Sequence, residues 1–192
     1  MSGNAVKVCG GIPLQGEIKI SGSKHVALAI LGAMPLLRGS VRLSNLPDIR
    51  DVEHMLKINE SLGVRSLKVG NGEYLFSASE INFSSQELWR VPQLRSSILY
   101  LGSILLNCGH VLLPVPGGDQ LGLRPLHEFL YVLDAFNIRH DLQNRGVMAH
   151  SDSISGNRDF DLCSKMFPLM GNNRSALAIM LAYANKGTTK MK

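Results

Sequence analysis

The sequence predicts an α/β (α+β) domain assembled from repeated helix–strand units. Three observations predict it. Apolar segments rich in small residues and long enough for helices alternate with short β-patterned runs. Asn71-Gly72 separates two such runs and signals a hairpin. The pattern also recurs along the chain. V-A-L-A-I-L-G-A-M-P-L-L-R-G ends at Gly39, S-S-I-L-Y-L-G-S-I-L-L-N-C-G at Gly109, and R-S-A-L-A-I-M-L-A-Y-A-N-K-G at Gly187. These copies lie 70 and 78 residues apart and predict three related units, the third cut short by the C-terminus.

The elements follow in order. Alternation in Glu17-Ile18-Lys19-Ile20 predicts a strand. Ser21-Gly22-Ser23-Lys24 turns the chain into a helix from His25 to about Leu37, and Ser40–Leu43 is a second strand. Asp48 is placed as the N-cap of a helix whose apolar face is Ile49, Val52, Leu56 and Leu62, stopped at Gly63. Residues 64–69 and 73–78 form the hairpin. The polar stretch 79–90 gives no clear pattern. A helix over 94–106 and a short strand over 111–113 follow. Pro125 suits the first turn of a helix running to about Phe136. Strands are expected near 138–142, 146–150 and 158–162, and a last helix over 169–184.

Composition narrows the function classes. The 192 residues carry a net charge of +5, which suits an anionic ligand but is too evenly scattered to argue for nucleic acid. Aromatics at 6% leave little for base stacking. Cys9, Cys108 and Cys163 are far apart, odd in number and without metal spacing, so reduced, buried thiols are expected. The six histidines show no paired ligand spacing, and no metal or cofactor is expected. No secretory leader or membrane-length apolar run is visible, so a cytoplasmic protein without a membrane partner is expected.

A base stands at the start of each repeated helix: Lys24, Arg95 and Arg174, at 15, 14 and 13 residues before the anchor glycine. Helix N-termini present unpaired N–H groups and a partial positive charge, so a base there suggests a bound anion. The alternative is a set of solvated junction residues. The loop P-V-P-G-G-D-Q-L-G-L-R-P (114–125) is stiff and sharply turned, and carries Asp119 and Arg124. Asp in such a turn is a candidate general acid, or an Asx cap of its own turn.

These stretches together resemble the enolpyruvyl transferases. Ser21-Gly22-Ser23-Lys24-His25 is similar to the family's S-G-(S/A)-K-N, and Asn45-Leu46-Pro47-Asp48-Ile49-Arg50-Asp51-Val52 to its N-x-P-x-(I/L)-x-D-V. Leu94-Arg95-Ser96-Ser97-Ile98 is similar to (M/L)-R-(A/S)-S-I, and residues 116–125 to P-G-G-C-x-(I/L)-G-x-R-P. Phe167 to Ser175 only partly matches F-P-S-V-G-A-T-E-N, and Asn185-Lys186-Gly187-Thr188-Thr189 follows as A-x-G-T-T does there. The resemblance covers nearly the whole chain but about two-fifths of a family member.

The resemblance implies an inverted α/β barrel and transfer of an enolpyruvyl group from phosphoenolpyruvate to an acceptor hydroxyl. The loop favours the branch that uses the 3-hydroxyl of UDP-N-acetylglucosamine in peptidoglycan precursor synthesis. A shikimate or nucleoside acceptor, and a non-catalytic remnant that binds anions or a partner, are the alternatives. By resemblance Asp119 takes the place of the family's proton-donating cysteine, and Arg124 and Lys24 bind the phosphate of phosphoenolpyruvate. Arg95 faces the nucleotide-sugar diphosphate. His25, Pro125, Leu126, His127 and Glu128 line the substrate positions. His25 replaces an asparagine, Leu169 a serine, and Asn173-Arg174-Ser175 replaces Thr-Glu-Asn. Residues 1–192 are expected to form one incomplete domain of about two and a half repeats, with residues 1–20 on the second-domain side. That second domain, or a second chain, is the expected partner.

Overall fold

The computed structural model describes residues 5–11, 13–78, 81, 95–115, 126–143, 146–162 and 172–192. Helix α1 (Lys24–Ala33) starts one residue before its expected position, with the Ser23 hydroxyl accepting from the Val26 N–H. It ends in a 3-10 turn, Met34–Leu36, because Pro35 has no N–H to continue the ladder. Strand β1 (Gly39–Leu43), helix α2 (Arg50–Ser61), and strands β2 (Val64–Gly70) and β3 (Glu73–Ala78) complete the first unit. They form an antiparallel sheet in the order β1-β3-β2.

The second unit repeats this arrangement. A 3-10 turn, Arg95–Leu99, leads into α3 (Tyr100–Cys108), then β4 (His110–Pro114), α4 (His127–Ala135), β5 (Arg139–Gln143) and β6 (Gly146–His150). Its antiparallel sheet runs β4-β6-β5, the same order with one unit's offset. The third unit contributes β7 (Arg158–Phe160), α5 (Asn172–Ala184) and β8 (Thr189–Met191), with β7 and β8 parallel. The repeat therefore extends to a strand after the third anchor, which periodicity alone did not reveal.

The anchors are glycine for a backbone reason. Gly39, Gly109 and Gly187 have φ of 104°, 73° and 159°, a region that side-chain-bearing residues rarely adopt. Each lets the chain leave a helix and enter a strand. The leading helices α1, α3 and α5 then pack against one another. A Cβ on Gly32 would lie 2.6 Å from Leu99 Cβ, and one on Gly102 would lie 2.8 Å from Leu177 Cδ1. Both glycines stand seven residues before their anchor, so the same close approach recurs in two units. The core fills this junction with Leu28, Leu31, Ile98, Leu101, Leu177 and Leu181, and continues beneath both sheets through Phe76, Val111 and Val147. Burying such side chains is worth about 1.5–3 kcal/mol each before conformational entropy is subtracted.

Three expectations are corrected. Residues 17–20 are not a strand: Val6, Val8, Leu14, Ile18 and Ile20 are at least 72% exposed, and none of the described strands pairs with this segment. Alternation supplies a face, but a strand also needs a ladder partner. Asp48 is not an N-cap. The cap of α2 is Ile49, which makes no side-chain cap bond, and the acids of its first turn are Asp51 and Glu53. Cys9 is exposed and Cys108 half-buried rather than both being core thiols, while Cys163 lies outside the described residues. Burial pushes the Cys108 thiol above its ordinary pKa, favouring the neutral form.

Candidate functional site

The turn before α1 is built by close approach. A Cβ on Gly22 would sit 1.9 Å from the Asn45 carbonyl oxygen, so only glycine lets the 21–24 turn lie against the 45–48 segment. Asn45 itself has φ 60°, which Asn tolerates better than most residues, and the Leu46 N–H donates to the Gly72 carbonyl at 2.8 Å. Two motifs far apart in sequence are thereby joined at one end of the first unit. The junction places Lys24, the first residue of α1, in an ion pair with Asp51, the second residue of α2. About half of the Lys24 side chain is exposed. His25 is exposed beside it.

The second unit holds its base in the same way. Arg95 opens the 3-10 turn before α3, and its Nη2 lies 3.6 Å from Oε1 of Glu128, the second residue of α4. The Glu128 side chain is 7% exposed and that of Arg95 34%. A buried carboxylate is costly unless paired, so Glu128 ties the guanidinium to the head of α4 while leaving part of it open to solvent. His127 is exposed and Leu126 half-buried at the same helix start.

Arg174 departs from the expected trio. It is 1% exposed, and its Nη2 donates to the Leu162 carbonyl inside the protein. It is not partly open to solvent as Lys24 and Arg95 are. Arg174 is the third residue of α5, whereas Lys24 opens α1 and Arg95 opens the turn before α3, so the three bases are not equivalent in the fold.

Asp119, Arg124 and Pro125 lie outside the described residues, as do Leu169 and the start of the 167–175 motif. The structure thus brings Lys24 beside Asp51, and Arg95 beside the 126–128 segment. Asp51 was not singled out from the sequence. The available signal was its place as the aspartate of the Asn45–Val52 motif, which falls on the second residue of α2 as Glu128 falls on the second residue of α4. Among the described residues, no group of three His, Cys, Asp or Glu side chains could hold a metal ion. No helix among them is long and apolar enough to cross a membrane.

The fold and these helix starts define a repeat-built α/β protein with a partly exposed base at the head of each of its first two units. The chain belongs to the EPSP synthase (3-phosphoshikimate 1-carboxyvinyltransferase) family of enolpyruvyl transferases, whose profile matches residues 8–192. It is 35% identical over 181 residues to UDP-N-acetylglucosamine 1-carboxyvinyltransferase of Solidesulfovibrio magneticus, covering 94% of this chain and 42% of that protein. The Acinetobacter baylyi enzyme of the same name is 32% identical over 186 residues, covering 96% and 43%. The solved enolpyruvyl transferase NikO from Streptomyces tendae superposes with a TM-score of 0.72 at 19% identity, over 95% of this chain and 42% of that one. EPSP synthase from Acinetobacter baumannii superposes with a TM-score of 0.67 at 14% identity, over 92% and 40%. The chain therefore spans about two-fifths of the length of the relatives it matches.

Proposed function

We propose that this chain forms the phosphate-facing part of an enolpyruvyl transferase that moves the enolpyruvyl group of phosphoenolpyruvate to the 3-hydroxyl of UDP-N-acetylglucosamine. The single observation that carries this is the matched placement of Lys24 and Arg95, each partly open to solvent at the head of a repeat-equivalent helix. The acceptor follows from relatives named for UDP-N-acetylglucosamine across nearly the whole chain. The proposal extends, from the resemblance of the motifs, to a role in peptidoglycan precursor synthesis in the cytoplasm.

In this proposal Lys24 and Arg124 neutralise the phosphate of phosphoenolpyruvate, the latter as a planar fork. Asp119 donates its proton to the methylene carbon as the acceptor oxygen bonds to the adjacent carbon, and the acceptor hydroxyl loses its proton to a base. The adduct then loses a proton from the methyl carbon. The carbon–oxygen bond to phosphate breaks, restoring the double bond and releasing inorganic phosphate. Arg95 meets the diphosphate, and His25, Pro125, Leu126, His127 and Glu128 line the acceptor. Such catalysis depends on closing the site around charged groups, so a second domain or second chain completes it.

The proposed architecture is an inverted α/β barrel domain, with residues 1–20 on the side of the second domain. The exposed apolar residues of the N-terminal segment support that assignment. The test is turnover of phosphoenolpyruvate with UDP-N-acetylglucosamine by this chain supplemented with the rest of a family member. Phosphate release that disappears in Lys24→Ala supports the proposal. Release with shikimate 3-phosphate instead, or with neither acceptor, overturns the acceptor assignment.

A further inference from the structure

The Lys24–Asp51 contact has a counterpart in Arg95–Glu128. In both units the base begins the leading helical segment, and the acid is the second residue of the following helix. The two acids lie in different sequence contexts, Arg-Asp-Val and His-Glu-Phe, so local motif identity does not explain the coincidence. The repeat geometry does, because it brings the start of the following helix to the base each time. We propose that Asp51 is a positioning residue for Lys24 in anion binding. It accepts one of the ammonium's three N–H donors, fixes the four-carbon stem, and leaves the other donors directed at a phosphate. This inference rests on the proposal that Lys24 binds the phosphate of phosphoenolpyruvate.

The physical argument is one of preorganisation. A free lysine loses much of its rotamer freedom when it closes on an anion, and a pre-formed contact removes part of that cost from binding. Asp51 is also an acid in the first turn of α2, where it favours that helix by complementing the dipole. It is a negative charge near an arriving anion as well. The three effects predict different outcomes. Positioning needs an oxygen acceptor more than a charge. Dipole stabilisation acts on stability and not on binding. Charge repulsion predicts tighter binding once the charge is removed.

The experiment titrates phosphoenolpyruvate into the isotopically labelled full chain, following the Gly22 to Val26 amides by NMR, which detects weak binding. It compares wild type, Asp51→Asn, Asp51→Ala, Lys24→Ala and the Lys24→Ala/Asp51→Ala double variant, with a thermal melt of each. Positioning predicts that Asp51→Ala weakens binding about three- to tenfold, the scale of partial loss of side-chain preorganisation. Asp51→Asn, which keeps an oxygen acceptor, stays within about twofold of wild type by the same argument. In the Lys24→Ala background, Asp51→Ala has no further effect. Tighter binding in both single Asp51 variants, or unchanged binding with a lower melting temperature, overturns the proposal. Wild-type binding that Lys24→Ala does not weaken overturns the assignment of Lys24 itself, an outcome distinct from failure of Asp51 alone.

Discussion

Asn59 Nδ2 donates to the Leu31 carbonyl at 3.0 Å, wholly inside the protein. The bond has a cause in the sequence. Leu31 would ordinarily receive the N–H four residues on, but that residue is Pro35. Met34 supplies one donor from the tightened turn, and Asn59 of α2 supplies another. The proline that ends α1 is thus matched by a buried amide on a neighbouring helix. Asn59→Ala removes the donor while the Leu31 carbonyl keeps the Met34 N–H, so the lost bond is expected to destabilise by about 0.5–1.5 kcal/mol. Urea unfolding would show it as a lower midpoint with an unchanged slope.

The leading helices meet through glycine, and this sets a second expectation. Gly102→Ala would drive a methyl to 2.8 Å from Leu177 Cδ1 and 3.4 Å from Met180 Sδ. Leu177 is fully buried, so it has no room to swing aside. The expected loss is about 1–3 kcal/mol from overpacking, despite alanine's higher helix propensity. A rise in melting temperature would show that the α3–α5 contact is looser than the structure has it.

Tyr100 gives a pH dependence. Its ring is fully buried, its hydroxyl donates to the Met55 carbonyl at 3.0 Å, and burial raises its pKa well above 10.0. The folded state therefore holds the proton more tightly than the unfolded chain. This contribution is fully present below about pH 10 and is lost as pH rises through the folded value. Tyr100→Phe is expected to cost about 1 kcal/mol at neutral pH, for the lost hydrogen bond. It should also flatten the fall in stability above about pH 10, measured by denaturant midpoints across an alkaline series. An identical alkaline slope in wild type and variant would contradict this.

Much of the fold was legible because local and tertiary signals agreed. Asn71-Gly72 fixed a hairpin, with Gly72 at φ 66°, and the apolar runs before Gly39, Gly109 and Gly187 became mutually packed helices. Failures came where local pattern depends on something distant. Glu17 to Ile20 alternate correctly but have no ladder partner among the described residues. Residues 189–191 are too few and too polar to announce β8, which exists because β7 lies alongside. In the site, the bases Lys24 and Arg95 were legible from helix position. Their acids were less so, since Asp51 looked like an ordinary first-turn residue until the fold set it beside Lys24. The inward turn of Arg174 was hidden because its place as the third residue of α5, rather than at the head of the segment, appears only in the fold.

The most direct test of the central claim is a titration of the full chain with UDP-N-acetylglucosamine and then phosphoenolpyruvate, at low and high salt. The account predicts saturable binding that weakens as salt rises, because it rests on partly exposed cations. Arg95→Ala should weaken the sugar nucleotide, and Lys24→Ala phosphoenolpyruvate, each about tenfold or more on the scale of a lost charge-assisted hydrogen bond. Folded variants that bind both ligands as wild type does would contradict it.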